Sequence, residues 1–498
     1  MIQRDCPCEK YQKNFVCFGK CPTFAVMMSL STTDKIQTLM QESIGFPPTS
    51  EQLEALRVFV DFMSDVDNQT AMILRGSAGT GKTTLASGMV RMMVKMGVKV
   101  VLMAPTGRAA KVFSLNSGHA AFTIHRKIYR QKSLVGDFNL NDNLHKDTLF
   151  IVDEASMIAN NGYADSVFGS GCLFDDLIHY VYNGQNCRLM LVGDQAQLPP
   201  VGEEESPALN GSCLRGYGLK VYEADLNEVL RQSQSSGILY NATRIRASVT
   251  GLPQIRFSGF ADIQMVSGNE LIETLASSYS EVGMDETMVV TRSNKRANIY
   301  NIGIRNTILE REEELTRGDM LMVVKNNYYW VEKEKLGISF IANGDRAVVQ
   351  RVRNVRELYG FRFADVTLSL PDYDENELTV TLLLDTLMSE APALTREQQD
   401  ELFSQVMEDY ADIPSKIERM KRIKEDVYYN ALQVKYAYAI TCHKAQGGQW
   451  AHVYIDQGYM TDDMVRPDYI HWLYTAFTRA TEKLFLVNWP SIQVLNNS

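Results

Sequence analysis

The sequence predicts an α/β protein built on two parallel sheets, with a β-hairpin insert in the first sheet and a small barrel inserted into the second. Three observations carry this. Short apolar runs of the buried type recur along the chain, and each ends in a cluster of polar residues. One of them enters a glycine-rich turn from which an apolar-periodic helix departs. From about residue 318 the pattern changes to apolar and polar alternation around turns.

The chain has 498 residues, 45% apolar and 22% charged, enough for several cores in about two to four domains. Fifty Lys and Arg against sixty Asp and Glu give a net charge of −10, which at first argues against a polyanionic partner. The acids are unevenly placed. Residues 372–412 hold twelve Asp or Glu and one Arg, a net of −11, so the remainder carries +1. Such a remainder can gather its Lys and Arg along a groove, with the acidic segment set away from it. No run of eighteen or more apolar residues exists, which argues against a helical membrane span.

The first thirty residues hold Cys6, Cys8, Cys17 and Cys21 but no apolar signal core. The C-x-C and C-x-x-x-C spacings approach a zinc site without matching a standard one. A disordered leader, or a start at Met27-Met28, explains the segment as well. Cys172, Cys187, Cys213 and Cys442 are scattered, as expected of reduced thiols in a cytoplasm.

The elements follow in order. Ala71–Leu74 reads as a buried strand, and Gly76, Gly81, Lys82 and Thr83 then satisfy G-x-x-x-x-G-K-[ST]. Glycines there let backbone N–H groups curl around phosphate oxygens at a helix N-terminus, with Lys82 on the β- and γ-phosphates and the Thr83 hydroxyl on Mg²⁺. A chance glycine-rich turn would lack the flanking strand and helix. The strand of VKVVLMAPTGR ends near Thr106. The strand of DTLFIVDEASM ends in Asp153, suited to a Mg²⁺ ligand, and Glu154, suited to a general base on an attacking water. CRLMLVGDQAQLPPV ends at Asp194 and Gln195, and MVVTRSNKRANIY at Thr291. Two late strands, in YAYAITCHKAQGGQWAHVYID and WLYTAFTRATEKLFLVNW, complete a second sheet without a second P-loop.

Two inserts interrupt this pattern. Between TIHR and the Asp153 strand, Gly-Asp and Asn-Asp-Asn turn formers suggest a hairpin, with Phe138 near its tip. From Gly318 to about Val434, RGDMLMVVKNNYYW, FIANGDRAVVQRVRNV and FRFADVTLSL read as strands of a small barrel. Tyr328, Tyr329 and Trp330 are candidates for base stacking or for barrel packing. Leu394–Asn430 switches to helical periodicity.

The ordered set Ser50–Gln52, GSAGTGKTT (76–84), APTGRAAK (104–111), TIHR (123–126), DEAS (153–156), GDQAQLPPV (193–201), LNEVLRQ (226–232), TCHKAQGGQ (441–449) and YTAFTRA (474–480) resembles superfamily 1 DNA helicases of the RecD-like and Dda-type branch. The resemblance spans about residues 46–490. It implies two RecA-like motor domains with ATP and Mg²⁺ in the cleft between them. The first would be 46–225, with a pin-like insert at about 127–148, and the second 226–317 plus 435–498. An SH3-like barrel would fill 318–434, with an acidic and helical excursion at about 372–430, and 1–45 would be a leader.

Residue by residue, the resemblance assigns Gln52 to the adenine edge. It gives Gly76, Ser77, Ala78, Gly79, Thr80, Gly81, Lys82, Thr83 and Thr84, with Gly448, to the nucleotide. Gln195 becomes the γ-phosphate sensor, and Arg231 and Arg479 the arginine fingers of the closing cleft. Many relatives carry a glutamate where this chain has Gln449, which leaves that position's role open. Thr106, Arg108, Thr123, His125, Thr441, His443 and Lys444 are candidates for a single-stranded track, and Phe138 becomes the wedge of the pin.

The implied activity is ATP-driven translocation on single-stranded DNA, 5′→3′, with unwinding of forked duplex by a monomer alongside replication or recombination proteins. An RNA helicase of the same superfamily stays open, since the 2′-hydroxyl decides it and no motif reports it. A P-loop ATPase that remodels a partner without unwinding is the alternative from another class.

Overall fold

The computed structural model describes residues 47–131, 138–161, 169–228, 235–248, 252–334, 340–373, 376–460 and 466–495. The cysteine-rich leader and Arg231 lie outside them. Helix α1 (Ser50–Ser64) opens on a capping box in which Thr49 and Gln52 cap each other's backbone N–H. Strand β1 (Thr70–Gly76) follows, with Ala71–Leu74 fully buried. Its near-continuous apolar run is what a strand between two parallel neighbours requires.

Those neighbours belong to a six-stranded parallel sheet of order β3-β2-β6-β7-β1-β8. Its other members are β2 (Lys99–Ala104), β3 (Ala121–Thr123), β6 (Thr148–Val152), β7 (Arg188–Gly193) and β8 (Lys220–Leu226). The ribbon β4 (Tyr129–Gln131) and β5 (Phe138–Leu140) hangs between β3 and β6 as an antiparallel pair. Met72 and Leu74 pack under α1 and α2 (Lys82–Lys95) on one face. Ala71 and Ile73 pack toward α5 (Leu173–Tyr182) on the other, so alternate residues of one strand feed two helical layers. Helices α3 (Gly107–Ser117), α4 (Ile124–Ile128) and α6 (Gly211–Gly216) complete this domain.

The second sheet, also parallel, has order β16-β10-β17-β18-β9. It is built from β9 (Ile263–Val266), β10 (Thr287–Thr291), β16 (Ala439–Thr441), β17 (Trp450–Asp456) and β18 (Ala480–Val487). Helices α7 (Gly237–Ala247), α8 (Leu271–Glu281), α9 (Asn294–Gly303), α13 (Cys442–Ala445) and α14 (Pro467–Phe477) surround it. Two RecA-like sheets are thus present.

Between them in sequence, β11 (Met320–Val323), β12 (Arg346–Leu358), β13 (Phe361–Leu370), β14 (Asn376–Leu383) and β15 (Leu432–Tyr436) close into a barrel. Asp319, fully buried where the chain enters it, accepts both Arg305 nitrogens at 3.0 Å, Arg311 at 2.7 Å and the Tyr438 hydroxyl at 2.9 Å. A buried carboxylate persists only with such complete pairing, so entry and exit strands are riveted to the second motor domain. One expected strand is a helix instead: Tyr329–Glu334 forms α10, started by Asn327, whose side chain accepts from the Trp330 N–H at 3.2 Å. Trp330 is buried, with Nε1 bound to the Asn430 carbonyl at 2.8 Å, and so packs rather than stacking on a base. The helical excursion consists of α11 (Arg396–Glu408) and α12 (Lys416–Lys424). Their Leu402, Val406 and Ile423 cover Phe361, Phe363 and Leu383 at one end of the barrel.

Candidate functional site

At the carboxyl end of β1 the loop from Gly76 turns into α2. Gly79 and Gly81 take φ of +77° and +76°, left-handed values that glycine adopts without strain. A Cβ on Gly76 would lie 2.8 Å from the Thr80 Oγ1. That hydroxyl donates to the Ser77 carbonyl at 2.8 Å and so shapes the loop from within. Beside the loop is a cavity of about 380 Å³. Ser77, Ala78, Gly79, Gly81, Lys82, Thr83 and Thr84 line it, with Glu154 and Gln197 from the first domain and Gln449 and Arg479 from the second. The open N–H groups and dipole of the α2 N-terminus favour phosphate here.

Asp153 is buried at the end of β6, and its Oδ1 accepts from the Glu154 N–H at 2.9 Å. Burial, and next the Glu154 charge, raise its carboxyl above the ordinary range, opposed by Lys82 and a Thr83 hydrogen bond. The adjacent hydroxyl and carboxylate are hard oxygen donors of the kind that suits Mg²⁺ sharing phosphate oxygens. Among the described residues no group of three or more His, Cys, Asp or Glu could hold a metal by itself. Glu154 adopts φ +54°, a left-handed conformation that costs a side-chain-bearing residue about 1–2 kcal/mol. Its Oε2 is buried without a hydrogen-bond partner among the described residues. An orphaned acceptor on a strained residue at the cavity wall is placed to take a proton from water.

After β7 a tight turn decides which glutamine faces inward. The Asp194 Oδ1 accepts from the Ala196 N–H at 3.0 Å, and its carbonyl from the Gln197 N–H at 3.2 Å. Gln195 is thereby exposed. Gln197 is 3% exposed, and its Oε1 is unpartnered among the described residues. From the second domain, Arg479 is buried and held by the carbonyls of Thr475 and Gly448 and the Thr478 hydroxyl, each at 3.0 Å. Three acceptors fix a planar guanidinium before any ligand arrives.

A groove of about 720 Å³ opens beside this pocket. Its walls include Thr106 and Arg108 of the first domain and Arg292, Thr441, His443, Lys444 and Trp450 of the second. Asn343, Arg346 and Glu390 from the barrel region close it. Lys444 Nζ is buried with no hydrogen-bond partner among the described residues. Burial, and next the charge of Lys435, push its ammonium down to about 8. A desolvated cation is costly until an anion completes it, so the groove suits a phosphodiester chain. Gly447, at φ +71°, brings the second domain's backbone so close to the first that a Cβ would lie 3.0 Å from the Thr106 Oγ1.

Residues 49–252 match a family model described as an AAA domain, and residues 436–487 match the UvrD-like helicase C-terminal domain. The chain is 27% identical over 312 residues to the ATP-dependent RecD2 DNA helicase of Deinococcus radiodurans, covering 60% of this chain and 40% of that protein. It is 26% identical over 266 residues to the ATP-dependent DNA helicase dda of Enterobacteria phage T4, covering 50% and 55%. The chain is thus similar to an AAA domain in its first motor region, to a UvrD-like helicase C-terminal domain in its second, and to the RecD2 and Dda helicases across both. The chain spans about half the length of those two relatives. Among solved structures, Pif1 helicase from Bacteroides with ADP-AlF3 and ssDNA superposes with TM-score 0.45 at 15% identity, covering 90% of this chain and 94% of that one.

The structure revises several assignments. Gln197, not Gln195, reaches the phosphate pocket, because the turn inverts the two side chains. Gln449, not Gly448, lines that pocket; Gly448 faces the groove, where a Cβ would lie 2.5 Å from the Trp450 ring. Ala78 lines the pocket, but its N–H donates to the Tyr474 hydroxyl at 2.8 Å rather than standing open. Gln52 is buried and braces the P-loop, with Nε2 donating to the Thr80 carbonyl at 2.9 Å and Oε1 accepting from the Thr49 N–H at 3.0 Å.

The track assignments divide. Thr106, Arg108, Thr441, His443 and Lys444 share the groove, whereas Thr123 and His125 are not among its lining residues. The Thr123 hydroxyl caps α4 by accepting from the Arg126 N–H. His125 packs near the rings of Tyr129 and Phe340, and burial pushes its imidazole down to about 4, so it is neutral. Arg108 stacks on Trp450 with its guanidinium carbon 4.2 Å from the ring centroid and donates to the Gln449 carbonyl. It therefore ties the two domains together at the groove wall. Phe138 is 7% exposed and packs on Tyr328 at 4.2 Å between centroids. That makes it an anchor of the ribbon on the barrel rather than an exposed tip; the tip, 132–137, lies outside the described residues. Glu390 also stands in the groove, paired with Lys295 at 3.8 Å, so the acidic segment is not wholly set apart. Neither Gln197 nor Trp450 was separable in the sequence from its neighbours, since each needs the inter-domain packing to show which way it points.

Proposed function

We propose that this chain is an ATP-dependent DNA helicase that moves 5′→3′ on single-stranded DNA and unwinds forked duplex. The observation that carries the reading is one cleft in which Lys82, Glu154 and Gln197 of the first domain share a cavity with Arg479 of the second, beside a groove holding an uncompensated cation. Lys82 and the loop N–H groups grip the β- and γ-phosphates, and Glu154 accepts a proton from the attacking water. Arg479 and Gln197 stabilise charge that spreads onto the γ-phosphoryl oxygens, strongest when the cleft is closed. The Thr83 hydroxyl and Asp153 carboxylate would hold Mg²⁺, which supplies neutralisation of phosphate charge when bound. Each closure shifts the groove walls contributed by the two domains relative to one another, and this converts hydrolysis into movement along the strand.

DNA as substrate follows the names of the relatives; 5′→3′ polarity, service in replication, recombination or repair and work as a monomer follow the resemblance carried by the ordered motifs. Buried free thiols at Cys172, Cys187 and Cys442 suit a reducing cytoplasm. The test is strand separation of matched DNA and RNA duplexes bearing 5′ or 3′ single-stranded tails, with ATP and Mg²⁺. Unwinding of the 5′-tailed DNA is expected. Unwinding of RNA alone, or ATP turnover without unwinding of any duplex, would replace the reading.

A further inference from the structure

One side chain of the second domain touches both halves of the first domain's phosphate site. Tyr474, on α14, is 1% exposed. Its hydroxyl accepts from the Ala78 N–H of the P-loop at 2.8 Å and donates to the Asp194 Oδ2 at 2.6 Å. Burial, and next the Asp194 charge, hold the phenol protonated and therefore a donor. The turn after β7 is gripped by further bonds from the same domain. His471 Nδ1 meets the Ala196 carbonyl at 2.9 Å, and the Thr475 Oγ1 accepts from the Leu198 N–H at 2.7 Å. Gln446 Nε2 donates to the Leu198 carbonyl at 2.6 Å. Gln197 sits inside this clasp.

We propose that Tyr474 is a positioning residue that sets the P-loop and the Gln197 turn in one geometry when the cleft closes, and releases both when it opens. The inference rests on the proposed ATP-driven motor. A hydroxyl can accept along one direction and donate along another at the same time, which a phenyl ring of equal size cannot do. Both bonds cross the interface between domains, so separation by about 1 Å takes both beyond hydrogen-bond range. Asp194 would then keep only its first-domain contacts, and the turn would lose the restraint that directs Gln197 inward. Arg479 reports closure by touching the nucleotide; Tyr474 reports it by shaping the groups that do.

The competing role is a packed tyrosine whose hydroxyl has merely found partners. Tyr474→Phe keeps the ring and removes both bonds, and steady-state ATP hydrolysis of the full chain separates the two. Expected is a fall in kcat of about tenfold to a hundredfold with KM for ATP within about threefold, since the lost bonds belong to the closed state. In a Gln197→Ala background the same substitution should lower kcat by several-fold less than in the wild type, because part of its effect runs through that glutamine and only the P-loop part remains. Wild-type kcat with only a lower melting temperature, or full additivity with Gln197→Ala, would overturn the proposal. Should Tyr474→Phe fail to fold, Thr475→Val removes one clasp bond and should give the same non-additive pattern at reduced size. Hydrolysis scores the tyrosine and unwinding scores the helicase reading, so a chain that hydrolyses ATP but opens no duplex sinks only the second. A wild-type chain that hydrolyses no ATP sinks both.

Discussion

The nucleotide pocket and the groove beside it share the same two motor domains, with the barrel region added at the groove, and they are assembled differently. The P-loop side of the pocket is a single run, Gly76–Thr84, whose shape is set by local φ values such as those of Gly79 and Gly81. The groove has no such run: Thr106, Arg292, Arg346 and Lys444 come from four separate segments in three structural units. A backbone cradle survives changes in the surrounding side chains. A groove of dispersed side chains changes its electrostatics whenever one domain shifts.

Lys82→Ala should show the contrast most strongly. ATP turnover is expected to fall by on the order of a thousandfold or more while single-stranded DNA still binds. Turnover assays with anisotropy of a labelled oligonucleotide measure the two separately, and retained turnover would place hydrolysis elsewhere. Next in size, Gln197→Ala should lower kcat by about a hundredfold, as for loss of a transition-state donor, with Gln195→Ala nearly silent. The reverse result would show that the turn inverts in the working enzyme.

On the groove side, Lys444→Ala should weaken single-stranded DNA binding by about tenfold and shallow the log–log salt slope by about 0.7. The sign of its pH dependence follows from a folded value near 8. Lys444 is charged below that value, so affinity should fall as pH rises through about 8, and the step should vanish in the variant. For the free protein the sign is opposite. The folded value lies below the unfolded one, so this group's destabilising contribution is present at low pH and is relieved as pH rises from about 8 toward 10.4. An unchanged salt slope would remove Lys444 from the strand's path. The smallest effect on motor activity concerns Phe138→Ala, although as a cavity-forming change it should cost about 3 kcal/mol of local stability. It should slow translocation and unwinding together through a loosened ribbon, as read by single-turnover assays. Unwinding slowed alone would restore Phe138 as a wedge.

How far each feature is legible in the sequence tracks how local it is. Both sheets were legible because Ala71–Leu74 and Leu189–Val192 in the first, and Met288–Val290 and Val453–Ile455 in the second, are buried on both faces and therefore apolar throughout. The barrel was visible through alternation, but Tyr329–Glu334 misread as strand because its aromatic residues suit either conformation and Asn327 decides by capping. His125 looked like a track residue because its neighbours are polar in sequence, whereas in space they are Tyr129 and Phe340.

The amino-acid sequence alone determined the chemistry available at the P-loop and at Asp153–Glu154, since backbone conformation and residue order within a few positions create those sites. Only the tertiary structure decided that Gln197 rather than Gln195 lines the P-loop cavity, that Arg108 stacks on Trp450, and that Tyr474 spans the cleft. Each of these depends on a contact between segments from about 250 to nearly 400 residues apart, such as Leu198 with Thr475 or Ala78 with Tyr474. Hydrogen bonds within a turn shape it, but which of its side chains meets the cleft depends also on what packs against the turn, and no sequence pattern confined to the turn contains that.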